Sequence, residues 1–213
     1  MSSTSSPTTS LSADTEQIVE NLEALKVQGR DKRGRKILRI VGKFFPARVL
    51  NGPGGEEALK RYLERRIFPD LGEGPFCVVY IHTYVQRPEN FPGVSFLRSI
   101  YESLPASVRD CLQAVYFVHP GLQARLFFAT FGRFLFSAGL YGKLRYVSRV
   151  EFLCEHIRKG EIDVPEFVLD HDEELESRPL MDYGLESGHR HRDYDAPAMD
   201  SAAASMYSLR CGS

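Results

Sequence analysis

Short β-branched, apolar runs alternate along this chain with longer segments whose apolar positions recur every three or four residues. Lys36–Phe45 (KILRIVGKFF), Phe76–Tyr84 (FCVVYIHTY), Leu112–Val118 (LQAVYFV) and Lys143–Val147 (KLRYV) predict strands. Between them the period lengthens. Leu59, Tyr62, Leu63 and Ile67 make one stripe over Glu56–Ile67, and Leu97, Ile100, Tyr101 and Leu104 make another over Val94–Leu104, so both predict amphipathic helices. A strand, a helical crossover and a strand imply a parallel pair, since parallel strands need a crossover of about a dozen or more residues. Ahead of this core, Ile18, Leu22 and Leu25 predict a short amphipathic helix over Asp14–Val27 that docks on its own domain. Behind it, Ser148 and Glu151 read as a capping box, with a helix to Lys159 stopped by Gly160. Val164–Leu169 then packs the end of the domain.

The segment after the third strand breaks the amphipathic pattern. In LFFATFGRFLF (Leu126–Phe136), Phe127, Phe131, Phe134 and Tyr141 share one face, while Phe128 and Leu135 lie on another. Gln123, Arg125, Thr130 and Arg133 interrupt it. A helix apolar on two faces must bury one in the core and find a second home for the other. The bland solution is more core; the alternatives are a lipid chain, a partner or a bilayer surface. An acyl chain of about sixteen carbons offers on the order of 12 kcal/mol gross on burial, before ordering costs.

Composition bounds the rest. The chain has 213 residues, 43% of them hydrophobic, enough for one sizeable domain with tails. This reading divides it into a disordered leader (1–12), the short helix (13–28), a folded domain (30–176) and a disordered acidic, His-rich and Ala/Ser-rich tail (177–213). The net charge of −1 hides an asymmetry: 13 basic against 4 acidic residues from Lys26 to Arg66, and 15 acidic against 5 basic from Glu151 to Asp200. A basic front suits anionic lipid head groups or an acidic partner, although the two halves also neutralise one another across one fold. Cys77, Cys111, Cys154 and Cys211 are widely spaced without a C-x-x-C pair, which suits free thiols in a reducing compartment. No secretory signal or membrane-spanning run is evident, so a cytoplasmic protein, with peripheral membrane association at most, is expected.

The order VVYIHTY, FLRSIYESLP, LQAVYFVHP, FGRFLF, KLRYVSRVEFL, VPEFVLDHDEEL resembles the CRAL-TRIO domain family over about Arg33 to Glu176. More narrowly, it looks like the divergent branch that holds the BCH domains of some Rho GTPase-activating proteins and the C-terminal domain of ganglioside-induced differentiation-associated proteins. The resemblance implies an α/β fold: a twisted, mostly parallel sheet flanked by helices, with a gate helix over the sheet. It implies a lipid held between sheet and gate, the gate falling on Leu122–Phe136 and the floor on the strands that carry Tyr80, His82, Tyr116 and Val118. With Phe127, Phe128, Phe131, Phe134 and Leu135 from the gate, these are the candidate lipid-binding residues. Arg125 and Arg133, two turns apart, are candidates for a phosphate head group, and Arg39, Lys43 and Arg48 for a basic rim. Lipid-transfer members usually carry a helical module ahead of the fold, and here that module is expected to be reduced to Asp14–Val27.

Chemistry on the substrate is not expected. G-x-S-x-G, P-loop, G-x-G-x-x-G and H-E-x-x-H patterns are absent from the sequence. NGPGG (Asn51–Gly55) lacks the Lys-Ser/Thr of a phosphate loop and reads as a turn. His82 and His119 end neighbouring strands and so are metal-ligand candidates, but buried, hydrogen-bonded histidines fit better without a third ligand; no cofactor or metal is expected. Asp170, Asp172, Glu173 and Glu174 read as a solvated acidic run. Two functions follow: a lipid-binding or lipid-transfer protein that touches membranes transiently, or a BCH-type interaction module with a collapsed pocket that binds small GTPases or their regulators. No nucleic-acid partner is expected.

Overall fold

The computed structural model describes residues 17–18, 23–135 and 138–178. Five strands form one sheet in the order β1 (Leu25–Arg30), β2 (Lys36–Val41), β3 (Phe76–Ile81), β4 (Leu112–Val118), β5 (Leu144–Val147). β1 is antiparallel to β2, and the remaining pairs are parallel. Because β2 to β5 are laid down in sequence order, right-handed crossovers put every connecting helix on one face. These are α1 (Ala47–Leu50), α2 (Gly55–Tyr62), α3 (Phe68–Leu71), α4 (Arg87–Asn90), α5 (Val94–Ser103), α6 (Ala106–Cys111), α7 (Leu122–Leu135) and α8 (Ala138–Lys143). The other face is covered by α9 (Val150–Leu153) and α10 (Glu166–Ser177).

The two-residue alternation of strands therefore sorts the core into two clusters. Leu38, Phe76 and Leu112 join Leu59, Tyr62, Leu63, Ile67, Leu71 and Ile100 on the helix-rich face. Ile37, Val41, Cys77, Val79, Ile81, Ala114, Tyr116, Val118 and Val147 meet Leu153, Ile157 and Val168 on the other. The strands predicted at Phe76–Tyr84 and Leu112–Val118 are present, the first ending at Ile81.

Several expectations need correction. The helix predicted to reach Val27 cannot do so, because Leu25–Arg30 is strand β1, with Leu25 opposite Ile40 and Val27 opposite Leu38. Pairing with β2 outweighs the helical spacing of Leu22 and Leu25, and the hairpin turn falls on residues 31–35 between the paired Arg30 and Lys36. Lys36–Phe45 is strand only to Val41, where Gly42–Phe44 turn as a 3-10 helix. The helix starting at Val150 lasts one turn, not to Lys159. Its first amide is met by the Asp172 carboxylate (Val150 N to Oδ1, 3.0 Å), and Ile157 forms a bridge with Asp31. Asp170–Glu174 lies within α10, which continues to Ser177. Pro69 explains the widened i→i+5 turn at Leu63–Ile67: it has no amide hydrogen to donate. The predicted leader and the tail from residue 179 lie outside the described residues, as does Cys211; Cys77, Cys111 and Cys154 are free thiols.

Candidate functional site

α7 crosses the helix-rich face above the C-terminal halves of β3 and β4. Alternation turns Tyr80, His82 and Phe117 towards it. The Tyr80 and Phe117 rings stack at 5.1 Å and 7°, and His82 lies 5.1 Å from Phe117. Phe128 of α7 meets Phe117 edge-on at 5.6 Å, and Tyr146 of β5 does so at 6.2 Å. The helix thus rests on a floor of flat rings, with Phe127 packed between Phe128 and Phe131 at 5.5 and 5.7 Å. A Cβ on Gly132 would lie 2.5 Å from the Tyr141 ring, so glycine there lets α8 fold tightly against α7.

The floor is neutral. Burial pushes His82 down to about 4 and raises the Tyr80 phenol above its ordinary value. The His82 Nδ1 and Tyr80 hydroxyl lie 3.4 Å apart. Above the floor, apolar surface remains exposed: Leu126 is 58% and Phe131 52% accessible, with Leu122 and Tyr146 also open to solvent. Arg125 donates from Nε to the Pro120 carbonyl at 2.9 Å.

Not all of the sequence-predicted residues meet here. Tyr116 and Val118 point to the opposite face, where Tyr116 stacks on His156 at 4.8 Å and Val118 joins the second core. The alternation that brings Tyr80 and His82 under α7 makes Phe117, between them, the β4 contribution; sequence reasoning passed over it. Arg39 is buried on that opposite face too. Its guanidinium donates to the carbonyls of Glu23 (2.9 Å) and Asp163 (3.1 Å), tying the segment ahead of β1 to the loop before α10. Lys43 sits over the Phe167 ring at 4.2 Å and near Tyr84 at 5.5 Å, again on the α10 side. Neither forms a rim around α7. Arg48 is exposed and pairs with Glu89 at 3.4 Å. Arg133, Phe134 and Leu135 belong to α7, but their side chains lie outside the described residues.

The second polar constellation lies behind the sheet. Thr83 Oγ1 and His119 Nδ1 are 2.8 Å apart, and His119 Nε2 lies 2.7 Å from Asp172 Oδ1. The order hydroxyl, imidazole, carboxylate is that of a nucleophile relay. However, Thr83 is 2% accessible and packed beneath α10, so no substrate reaches its hydroxyl. Burial lowers the pKa of His119, outweighing the opposing Asp172 carboxylate. His119 and Tyr84 both adopt left-handed backbone (φ 52° and 54°), and Tyr84 donates to Glu174 at 3.0 Å. These contacts fasten α10 to the C-terminal edge of the sheet. His82 and His119 neighbour each other in the backbone but face opposite layers, so they cannot share a metal. Among the described residues, no group of three or more His, Cys, Asp or Glu is arranged to hold one.

Comparison with known proteins adds an independent line. A family model described as Divergent CRAL/TRIO domain matches residues 34–174. The Protein GDAP2 homolog of Drosophila melanogaster is 29% identical over 154 residues, covering 72% of this chain and 27% of that protein. Ganglioside-induced differentiation-associated protein 2 of Xenopus tropicalis is 29% identical over 154 residues (71% and 29%). The human protein of that name is 28% identical over 157 residues (72% and 30%). The chain thus spans under a third of the length of these relatives.

Proposed function

The chain belongs to the divergent CRAL/TRIO domain family, and from that premise we propose that it is a lipid-binding or lipid-transfer protein that holds an apolar ligand between the sheet and α7. The observation that carries the reading is the stacked floor of Tyr80, His82 and Phe117 beneath a helix that leaves Phe131 and Leu126 exposed. Flat, neutral rings offer an acyl or ring ligand contact area without the desolvation penalty that a buried charge imposes. α7 meets that floor through the edge of Phe128, a contact without directional hydrogen bonds, so it can lift and reseat as a ligand enters. No covalent step on the ligand is part of this function: exchange consists of opening, transfer and closure. No helix among the described residues is long and apolar enough to cross a membrane; the membrane encounters in this reading are transient and peripheral.

Native mass spectrometry of protein purified from a eukaryotic host tests this. A stoichiometric lipid that survives desolvation and is absent from Phe131→Asp is the expected result. A clean apo mass with no uptake from mixed liposomes would sink it. The second reading, an interaction module of BCH type for small GTPases or their regulators, draws on the same rings. Phe117 already contacts Phe128 and Tyr146, so side chains fill part of the space beneath α7, and exposed Leu122 and Leu126 would then face a protein partner.

A further inference from the structure

We propose that the β1–β2 tip and the turn after α9 together form an electrostatic docking surface for anionic membranes. This deepens the peripheral-membrane part of the preceding reading but needs no ligand under α7. The two segments are far apart in sequence, and the fold joins them. Asp31 and Ile157 form an antiparallel bridge, and Lys32 donates its amide to the His156 carbonyl at 2.9 Å. Arg30 therefore lies across from Arg158, with Lys32, Arg33 and Lys159 beside them, all five exposed. The join is tight: a Cβ on Gly29 would lie 2.1 Å from the Glu161 carbonyl oxygen.

The hairpin's own acid does not neutralise this cluster. Asp31 is buried, and its carboxylate accepts from the amides of Arg33 (2.9 Å) and Arg35 (2.8 Å) and from the Arg35 guanidinium Nε (2.6 Å). Among the carboxylates beside this surface, Glu155 is exposed, Glu161 accepts from the Arg30 amide at 2.8 Å, and Asp163 pairs with Lys26 at 3.4 Å further along β1. Like charges placed across a strand pair destabilise the fold, so this arrangement favours an external counter-charge. The glycines at the tips, Gly34 and Gly160, both have positive φ and leave the cations on narrow, convex turns. The buried centre of a protein interface is enriched in apolar and aromatic residues and depleted of charge, and these exposed tips carry glycines and charges instead. A laterally mobile anionic lipid surface fits such a shape without one. The surface lies at the β1 end of the sheet and in the layer opposite α7, so docking through it leaves the ligand helix uncovered.

Vesicle co-sedimentation of the full chain tests the assignment, using phosphatidylcholine vesicles with and without roughly one third phosphatidylserine. Wild-type protein should bind the anionic vesicles, release with added salt and ignore the neutral ones. Because each surface cation contributes about a fivefold factor, Lys32→Glu/Arg33→Glu and Arg158→Glu/Lys159→Glu should each lose at least about tenfold in partitioning. Arg65→Glu/Arg98→Glu, with the same change in net charge on the helix-rich face, should bind nearly as wild type. Equal loss in all three variants, salt-insensitive binding, or equal binding to neutral vesicles would overturn the proposal. So would wild-type binding to an acidic peptide or to DNA that persists at a salt concentration releasing the vesicles. Lipid retention in the same variants, read by native mass spectrometry, separates the two claims: a docking failure leaves the ligand in place, whereas failure of the lipid reading leaves vesicle binding intact.

Discussion

The two faces of the sheet end in a histidine each, and they are built on opposite principles. Behind the sheet, His119 is held from both ring nitrogens by Thr83 and Asp172, and the same Asp172 oxygen accepts from the Val150 amide. Under α7, His82 is held chiefly by ring packing, with a long 3.4 Å approach to the Tyr80 hydroxyl. Directional, buried hydrogen bonds specify one arrangement and fail if any partner moves. Stacked rings tolerate sliding and exchange of neighbours at little cost. The difference separates a half fixed by directional bonds from the half in which the ligand is proposed.

The contrast breaks most sharply at Phe117 and Asp172. Phe117→Ala removes the ring shared by Tyr80, His82, Phe128 and Tyr146, and should cost about 4 kcal/mol in urea unfolding, together with any bound lipid. Asp172→Ala strands His119 and the Val150 amide and should cost about 3 kcal/mol while leaving ligand retention per folded molecule unchanged. Equal effects of the two on retention would mean that the faces do not divide the work. Gly132→Ala should cost about 2 kcal/mol by driving a methyl into the Tyr141 ring, read as a lower urea midpoint.

Acid sharpens the comparison further. Burial holds both imidazoles neutral in the folded state, so the unfolded chain binds the extra protons first. A depressed histidine pKa makes stability fall as pH drops below the ordinary value near 6.5, and for His82 the loss continues to about 4. His82→Phe should flatten that part of the profile between pH 6.5 and 4; an unchanged slope in urea unfolding would locate the effect elsewhere. The smallest expected effect is on stability in Phe131→Asp. Phe131 is 52% accessible, so the change should stay within about 0.5 kcal/mol even as ligand retention is lost. A large stability loss would show that this ring serves the core instead.

Much of the fold could be read from local pattern. Leu112–Val118 announces a strand because its β-branched and aromatic residues run up to the break at Pro120, and the lengths of the crossovers imply parallel pairing. β1 was hidden because Leu22 and Leu25 also fit a helix; the Leu25/Val27 alternation and the Arg-Gly turn after it were the available signal. The solvated acidic run holds for the exposed Asp170, Glu173 and Glu174, but their place on helix α10 was not legible, because Asp172 and Glu174 find their partners, His119 and Tyr84, just beyond the ends of β4 and β3.

Sequence by itself determined the strands β2 to β5, the helical crossovers between them and the two-faced helix that makes a ligand site worth proposing, since each depends on spacing within one segment or on the length between two. Tertiary structure decided which residues share a side. A strand's alternate side chains diverge to opposite layers, so whether Tyr116 or Phe117 lies beneath α7 depends on register against β3 and on which face the crossovers cover. The same holds for the cations that meet across the Asp31–Ile157 bridge: their proximity is a property of chain return, and no local pattern encodes it.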